Sequence, residues 1–147
     1  MSININRIKE NLEYVGNTFN SGSEGYNRLA FSKEEKDAIN WLEEELRNNG
    51  ISVRRDSIGN LFARIGPEDK PVYAFGSHLD TVKNGGLYDG ALGVMAALEC
   101  LLQLKGQNSQ NTAYELVCLV GEEGNPLGGT FGSRVITGQV NSDDLDD

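Results

Sequence analysis

Apolar residues recur at spacings of three and four in two N-terminal segments, and this pattern predicts two amphipathic helices. The first covers residues 4–18 and is broken by the Gly-containing stretch 20–27. The second begins at Ser32, where Ser32 and Glu35 match a capping box: the hydroxyl accepts the Glu35 amide and the carboxylate reaches back. Gly50 ends this helix, where a left-handed residue is favoured.

Short apolar runs follow the helices and predict a sheet. Residues 51–57 and 61–65 have the pattern of two hairpin strands. The run 72–75 is apolar throughout, so we expect a strand buried on both faces. A helix over 90–104 and a strand over 114–120 then complete a strand–helix–strand unit with parallel strands. The predicted fold class is therefore α/β, a mixed and mainly parallel sheet with flanking helices.

Composition narrows the functional classes. The 147 residues carry a net charge of −9, with scattered Lys and Arg, which argues against nucleic acid as a partner. The apolar runs are much shorter than the ~20 residues of a membrane helix, and no secretory or transit signal is present. Cys100 and Cys118 lie in apolar surroundings without zinc-binding spacing, which indicates buried thiols and a cytoplasmic location.

One imidazole and four carboxylates lie where strands end or a helix begins. They are His78, Asp80, Asp89, Glu122 and Glu123. Ligands of open α/β sheets bind outside the carboxyl ends of the strands, so these side chains are candidates for one site. Asp80 can accept the second N–H of His78, an arrangement typical of a metal-bound histidine.

Each candidate also has a simpler interpretation. His78, the only histidine, could be an ordinary surface or core residue. Asp89 could cap the following helix, bridge two cations, or do both. Glu122 and Glu123 could be solvated turn acids. If the strand end is buried, however, cations would offset their repulsion. In extended backbone one carboxylate could bind metal while its neighbour faces a metal-bound water. The Gly-rich residues 128–132 lack the strand-to-helix context of a phosphate cradle.

The segments 76–82, 84–90 and 121–124 resemble the metal-binding motifs of the M20 peptidase family. Within it the chain is most similar to the amidase branch of N-carbamoyl-L-amino acid hydrolases, allantoate amidohydrolases and ureidopropionases. The segments 28–32, 56–60 and 131–134 add to this resemblance. It implies that residues 1–147 form the N-terminal portion of one zinc-exopeptidase-like catalytic domain.

The resemblance also implies a role for each candidate. His78 would bind one metal, Glu123 a second, and Asp89 would bridge both. Glu122 would be the general base that activates a water, and Asp80 would orient His78. The two divalent ions would be zinc, or manganese, cobalt or nickel. The expected reaction is hydrolysis of a carbamoyl or related C–N amide bond in a small, amino-acid-like substrate.

Family members are longer, and supply two further metal ligands and a lid and dimerisation domain. None of these is present in this sequence, although the parent enzyme would be a homodimer. Residues 142–145 resemble the first turn of another helix, which favours a truncated chain. We therefore expect weak metal affinity and no useful turnover from the chain alone. An M20 aminoacylase or peptidase, or a non-catalytic relic of the family, remains an alternative.

Overall fold

The computed structural model describes residues 2–107 and 111–140, and the residues predicted to begin a further helix, 142–145, lie outside these ranges. The predicted α/β class is confirmed. In chain order the elements are α1 (Ile5–Thr18), α2 (Lys33–Asn48), β1 (Ser52–Arg55), β2 (Leu61–Ile65), β3 (Val72–His78), α3 (Ala91–Lys105), β4 (Ala113–Leu119) and α4 (Phe131–Ile136).

The two N-terminal helices form where the apolar pattern predicts them. The Ser32 side chain accepts the Glu35 amide at 3.2 Å, as in the predicted capping box. The other half of the box differs, because the Glu35 carboxylate accepts the amides of Phe31 and Gly121 instead of the Ser32 amide. Gly50 has a φ of 68° after the last turn, the left-handed conformation that glycine adopts without a steric cost.

The four strands form one sheet in the order β1-β2-β4-β3. β1 pairs with β2 and β2 with β4, both antiparallel, while β3 and β4 run parallel in register from Val72–Ala113 to His78–Leu119. The predicted hairpin and the predicted parallel pair are both confirmed. Because β3 and β4 run parallel, their carboxyl ends meet at one edge of the sheet, where the candidate residues lie.

The prediction that the third strand is buried on both faces is wrong. β3 pairs with β4 alone among the described strands, and Tyr73 is 66% and Val72 37% exposed. An apolar run is typical of a strand inside a parallel sheet, but the described part of the chain leaves β3 at the sheet edge. The short helix α4, which begins within the Gly-rich residues 128–132, was not predicted either.

α1, α2 and α3 bury their apolar faces in one core with the sheet. Its members are the buried side chains of α1, α2 and α3 together with inward-facing residues of β2 and β4, including Leu61, Ala63, Leu116 and Cys118. Cys118 is fully buried as expected, whereas Cys100 is half-buried, and both are free thiols. None of the described helices is long and apolar enough to cross a membrane.

Candidate metal centre

His78 is the last residue of β3, and its ring is fixed by Asp80. The ring Nδ1 lies 3.0 Å from the Asp80 carbonyl oxygen and 3.2 Å from Asp80 Oδ1. Burial lowers the pKa of His78, but the hydrogen bonds and charge of Asp80, with the charge of Glu123, outweigh it and raise the pKa. With Nδ1 engaged in this way, Nε2 is the nitrogen free to bind a cation.

Asp80 also holds the chain at the end of β4. Its carboxylate is fully buried and accepts the backbone amides of Glu122 at 3.3 Å and Glu123 at 2.8 Å. One carboxylate thus orients the imidazole and fixes the backbone that carries two candidate acids. A buried charge is costly unless hydrogen-bonded, and these contacts supply the partners. The expected pairing of Asp80 with His78 is observed, and the backbone contacts are an addition to it.

The start of α3 shows whether the Asp89 side chain caps this helix. The N-cap of α3 is Gly90, with a φ of 65°, and no side chain caps this terminus. A Cβ at Gly90 would lie 2.5 Å from the His78 ring, so glycine lets the helix start directly beside the imidazole. The capping interpretation of Asp89 is therefore wrong, and its exposed carboxylate is available to a ligand.

His78, Asp89 and Glu123 converge. Each offers one ligand atom, and these atoms all lie within 4.8 Å of one another. His78 Nε2 and Glu123 Oε1 are 3.8 Å apart. Burial raises the pKa of Glu123, and the charge of Asp89 raises it further, because two carboxylates sharing a site repel each other. A divalent cation would relieve that repulsion, and the mixed imidazole and carboxylate set suits zinc, manganese, cobalt or nickel.

Glu122 is not a member of this cluster, and its carboxylate contacts Ser133 instead. Its Oε1 accepts the Ser133 amide at 2.8 Å and its Oε2 accepts the Ser133 hydroxyl at 2.5 Å. Each carboxylate oxygen retains a second lone pair for a further partner. Ser133 belongs to α4, and its contact with Glu122 was not foreseen, although the resemblance included residues 131–134.

The Gly-rich segment 128–132, in which α4 begins, is hydrogen-bonded to the loop that carries Glu122. The amides of Thr130, Phe131 and Gly132 donate to the carbonyls of residues 122, 121 and 120. These amides therefore already have acceptors in the residues just after β4 and are not available to bind a phosphate. The expected lack of a strand-to-helix context is wrong, since a helix begins at Phe131, and the amides at its start already have backbone partners.

Two buried charged residues beneath the cluster were missed as site residues. Arg28 is 1% exposed and its guanidinium donates to the carbonyls of Leu79, Val15 and Phe19. Burial lowers the pKa of Arg28, and the charge of Asp80 acts in the opposite direction. Glu35, 3% exposed, accepts the amide of Gly121 next to Glu122. The sequence marked Glu35 only as a helix cap, since its long-range partner leaves no local pattern.

Fold and cluster together define an α/β domain with a candidate divalent-metal centre at the carboxyl ends of its parallel strands. The chain belongs to peptidase family M28, since the model of that family matches residues 60–144. The motifs resemble those of family M20, whereas the matching family model is that of M28. Relatives named as amidohydrolases confirm the predicted likeness to the amidase branch.

Three relatives carry this likeness across nearly the whole chain. An uncharacterized hydrolase of Haemophilus influenzae is 46% identical over 99% of this chain and 36% of its own length. An N-carbamoyl-L-amino-acid amidohydrolase of a Pseudomonas species is 35% identical over 99% of this chain and 36% of its own length. An allantoate amidohydrolase of Bacillus subtilis is 38% identical over 95% of this chain and 35% of its own length. The chain thus spans about a third of the length of these relatives.

Solved structures agree with the sequence relatives. A hydantoinase/carbamoylase family amidase from Burkholderia ambifaria superposes with a TM-score of 0.86 and 32% identity. The match covers 97% of this chain and 36% of the amidase. The fold described here is therefore shared with amidases that contain much additional polypeptide.

Proposed function

We propose that this chain carries part of the active site of a two-metal amidohydrolase. The substrate class is a small amino-acid-like molecule with a non-peptide C–N amide bond, such as an N-carbamoyl amino acid or a ureido compound. The single observation that supports this most is the convergence of His78, Asp89 and Glu123 within 4.8 Å. The amidohydrolase names of relatives at 35% and 38% identity support the reaction class.

In this proposal His78 and Asp89 would hold one ion, and Asp89 and Glu123 would hold the other. Divalent ions at such a site polarise the scissile carbonyl and lower the pKa of a water toward ~7. Asp80 acts through His78, because it fixes the ring so that Nε2 faces the cluster. It also fixes the backbone that carries Glu122 and Glu123.

Glu122 is the proposed general base. Its carboxylate would take a proton from the attacking water and pass it to the leaving nitrogen. Both hydrogen bonds from Ser133 direct the carboxylate without consuming its remaining lone pairs. Because Glu122 is not a member of the three-residue cluster, its carboxylate would remain available to accept a proton when Glu123 serves as a ligand.

We further propose that residues 1–147 are the N-terminal portion of one catalytic domain. A site of this type needs about four ligands for each ion, one of them often water, and the cluster gives each ion only two. The chain alone should therefore bind divalent ions weakly and hydrolyse nothing usefully. The remaining ligands, the lid and the dimer contacts would come from polypeptide outside this sequence.

Metal titration tests the cluster directly. Chelator-treated protein should bind Zn²⁺ or Co²⁺ in calorimetry, and the visible spectrum of Co²⁺ should report nitrogen and oxygen ligands. Replacement of Asp89 by asparagine should weaken binding by roughly tenfold or more, since its carboxylate would be a ligand of both ions in this proposal. Glu44→Gln, which removes an exposed carboxylate of α2 instead, should leave the affinity unchanged.

Two results would contradict the proposal. Equal affinity of wild type and Asp89→Asn would show that bound metal lies elsewhere. Turnover of N-carbamoyl amino acids by the purified chain at enzymatic rates would show that no further ligands are needed. An aminoacylase or peptidase differs from this proposal in substrate alone. A panel of acyl, peptidyl and carbamoyl amino acids with a complete enzyme would separate them.

A further inference from the structure

Three residues near Glu122 form a closed ring of hydrogen bonds. Asn60, the residue before β2, is fully buried although its side chain is polar. Its Oδ1 accepts the Val120 amide at 2.9 Å, and its Nδ2 donates to the Gly132 carbonyl at 3.3 Å. The Gly132 amide closes the ring, because it donates to the Val120 carbonyl at 3.0 Å. These three hydrogen bonds join the start of β2, the end of β4 and the start of α4.

The glycine at position 132 permits this close contact. A Cβ there would lie 2.5 Å from Asn60 Oδ1 and 2.7 Å from the Val120 carbonyl oxygen. Both atoms belong to the ring, and one of them is backbone. Any larger residue at Gly132 would therefore push the start of α4 away from the end of β4 or displace the Asn60 amide group.

Asp56 fixes which way the Asn60 amide group faces. Its Oδ2 accepts Asn60 Nδ2 at 2.8 Å, while its Oδ1 accepts the backbone amides of residues 58, 59 and 60. An ionised carboxylate only accepts hydrogen bonds, so the NH₂ group of Asn60 faces Asp56 and the oxygen remains for Val120. Two of the three contacts of the Asn60 side chain thus require a donor and one requires an acceptor. A carboxylate at position 60 could make only the contact with Val120.

The ring connects the two segments that hold Glu122. Val120 lies two residues before Glu122, and Gly132 directly precedes Ser133, whose amide and hydroxyl both donate to the Glu122 carboxylate. The separation of Val120 and Gly132 therefore sets the separation of the carboxylate and its two donors. Segments 56–60 and 131–134, noted separately in the sequence, meet at this ring.

We propose that Asn60 is a positioning residue for Glu122. Its amide group holds the start of α4 against the end of β4, so that Ser133 directs the Glu122 carboxylate. The hydrogen bonds of the Asn60 side chain go to Val120, Gly132 and Asp56, so Asn60 acts through the backbone and not on Glu122 itself. The inference rests on the proposed function for the role of Glu122 as a base, but not for the place where its carboxylate is held.

Placement matters for a general base because it acts only within hydrogen-bond reach of the proton that it takes. A displacement of about 1 Å in an active site can reduce the rate by roughly 100-fold. Glu122 lies on a loop after β4, where the backbone alone does not fix a side chain, and support must come from neighbouring elements. Asn60 supplies that support from the start of β2.

NMR of the metal-free chain in EDTA tests the proposal with Asn60→Asp, which keeps the acceptor for Val120 and loses both donors. We expect loss of the scalar coupling across the hydrogen bond between the Ser133 amide nitrogen and the Glu122 carboxylate carbon. Hydrogen exchange of the Ser133 amide should accelerate by at least about tenfold, while the amides of β4 keep their wild-type rates. Asn48→Asp makes the same chemical change at an exposed position of α2 and should leave both measurements unchanged.

A second variant perturbs the ring from α4 and decides the matter where Asn60→Asp does not fold. Gly132→Ala should abolish the same coupling, because its Cβ would lie 2.5 Å from Asn60 Oδ1. Gly106→Ala, whose Cβ would meet no atom closer than 3.9 Å, is the control and should retain the coupling.

Several outcomes would overturn the inference. One is a coupling that survives in either folded variant of the ring. Another is exchange that accelerates equally in β4 and at Ser133, since this would indicate general destabilisation. Unfolding of both ring variants in circular dichroism would also overturn it, because the ring would then serve the fold as a whole. A coupling that depends on Asn60 in a chain that binds no divalent ion would refute the proposed function and leave the placement of Glu122 by Asn60 standing.

Discussion

Replacement of Glu35 by glutamine should remove a large part of the pH dependence of folding stability. The carboxylate is 3% exposed and accepts the amides of Gly121, at 2.9 Å, and Phe31. Burial raises its pKa from the ordinary 4.5 to about 7, against the hydrogen bond from Gly121. The folded protein therefore holds this proton more tightly than the unfolded chain does.

The sign and size of the effect follow from that difference. Protonated Glu35 stabilises the fold fully below about pH 4.5, and this contribution is lost as the pH rises through about 7. Each tenfold difference in proton affinity is worth ~1.4 kcal/mol, so the interval from 4.5 to about 7 corresponds to about 3.5 kcal/mol. Glutamine cannot titrate, but its NH₂ group faces one of the two amides, at a pH-independent cost of about 1–2 kcal/mol.

Urea unfolding followed by circular dichroism in EDTA, from pH 5 to pH 8, measures the effect. Glu35→Gln should be less stable than wild type at pH 5. Between pH 5 and pH 8 its stability relative to wild type should rise by about 2.5 kcal/mol, so that the variant becomes the more stable of the two. Glu44→Gln, on the exposed side of the same helix, controls for loss of a charge and should follow the wild-type slope. A gap between Glu35→Gln and wild type that stays constant across this range would refute the assignment.

Two further substitutions test the geometry around the cluster. Asp80→Asn keeps the shape but turns an NH₂ group toward the amide donors or the imidazole. It should weaken Zn²⁺ binding by roughly 10- to 100-fold in calorimetry and destabilise the chain by about 1–3 kcal/mol, and unchanged values would contradict its orienting role. Gly90→Ala adds a Cβ 2.5 Å from the His78 ring at a φ of 65°, and should cost about 1–3 kcal/mol and shift the imidazole ¹⁵N resonances. Gly86→Ala, where a Cβ meets nothing within 4 Å, is its control, and equal effects would count against the close approach.

Local patterns predicted the elements well, because each depends on nearby residues. The spacing of apolar positions located α1 and α2, and the strand Leu61–Ile65 forms at the residues predicted. Burial was harder to predict, because it depends on which strands flank a given one. The apolar run at the start of β3 indicated an interior strand, yet no described element covers its outer side.

The candidate site was partly predictable for the same reason. His78, Asp89 and Glu123 could be grouped because a parallel strand pair brings its carboxyl ends together. The contacts of Asp80 with two backbone amides, and of Glu35 with Gly121, span more than forty and eighty residues respectively. No short-range spacing encodes such contacts, so they became visible only when the strands were placed side by side.

The arrangement also explains how a chain this short can bring three candidate metal ligands together. Two of the three cluster residues come from the ends of directly paired strands, and the third precedes the helix that joins those strands. Asp80 ties both strand ends together from beneath, so the ligands need no distant domain to hold their positions. What the described chain leaves open is the outer side of β3, next to the cluster. The placement of these three side chains is therefore set within this unit, by the paired strands and by Asp80.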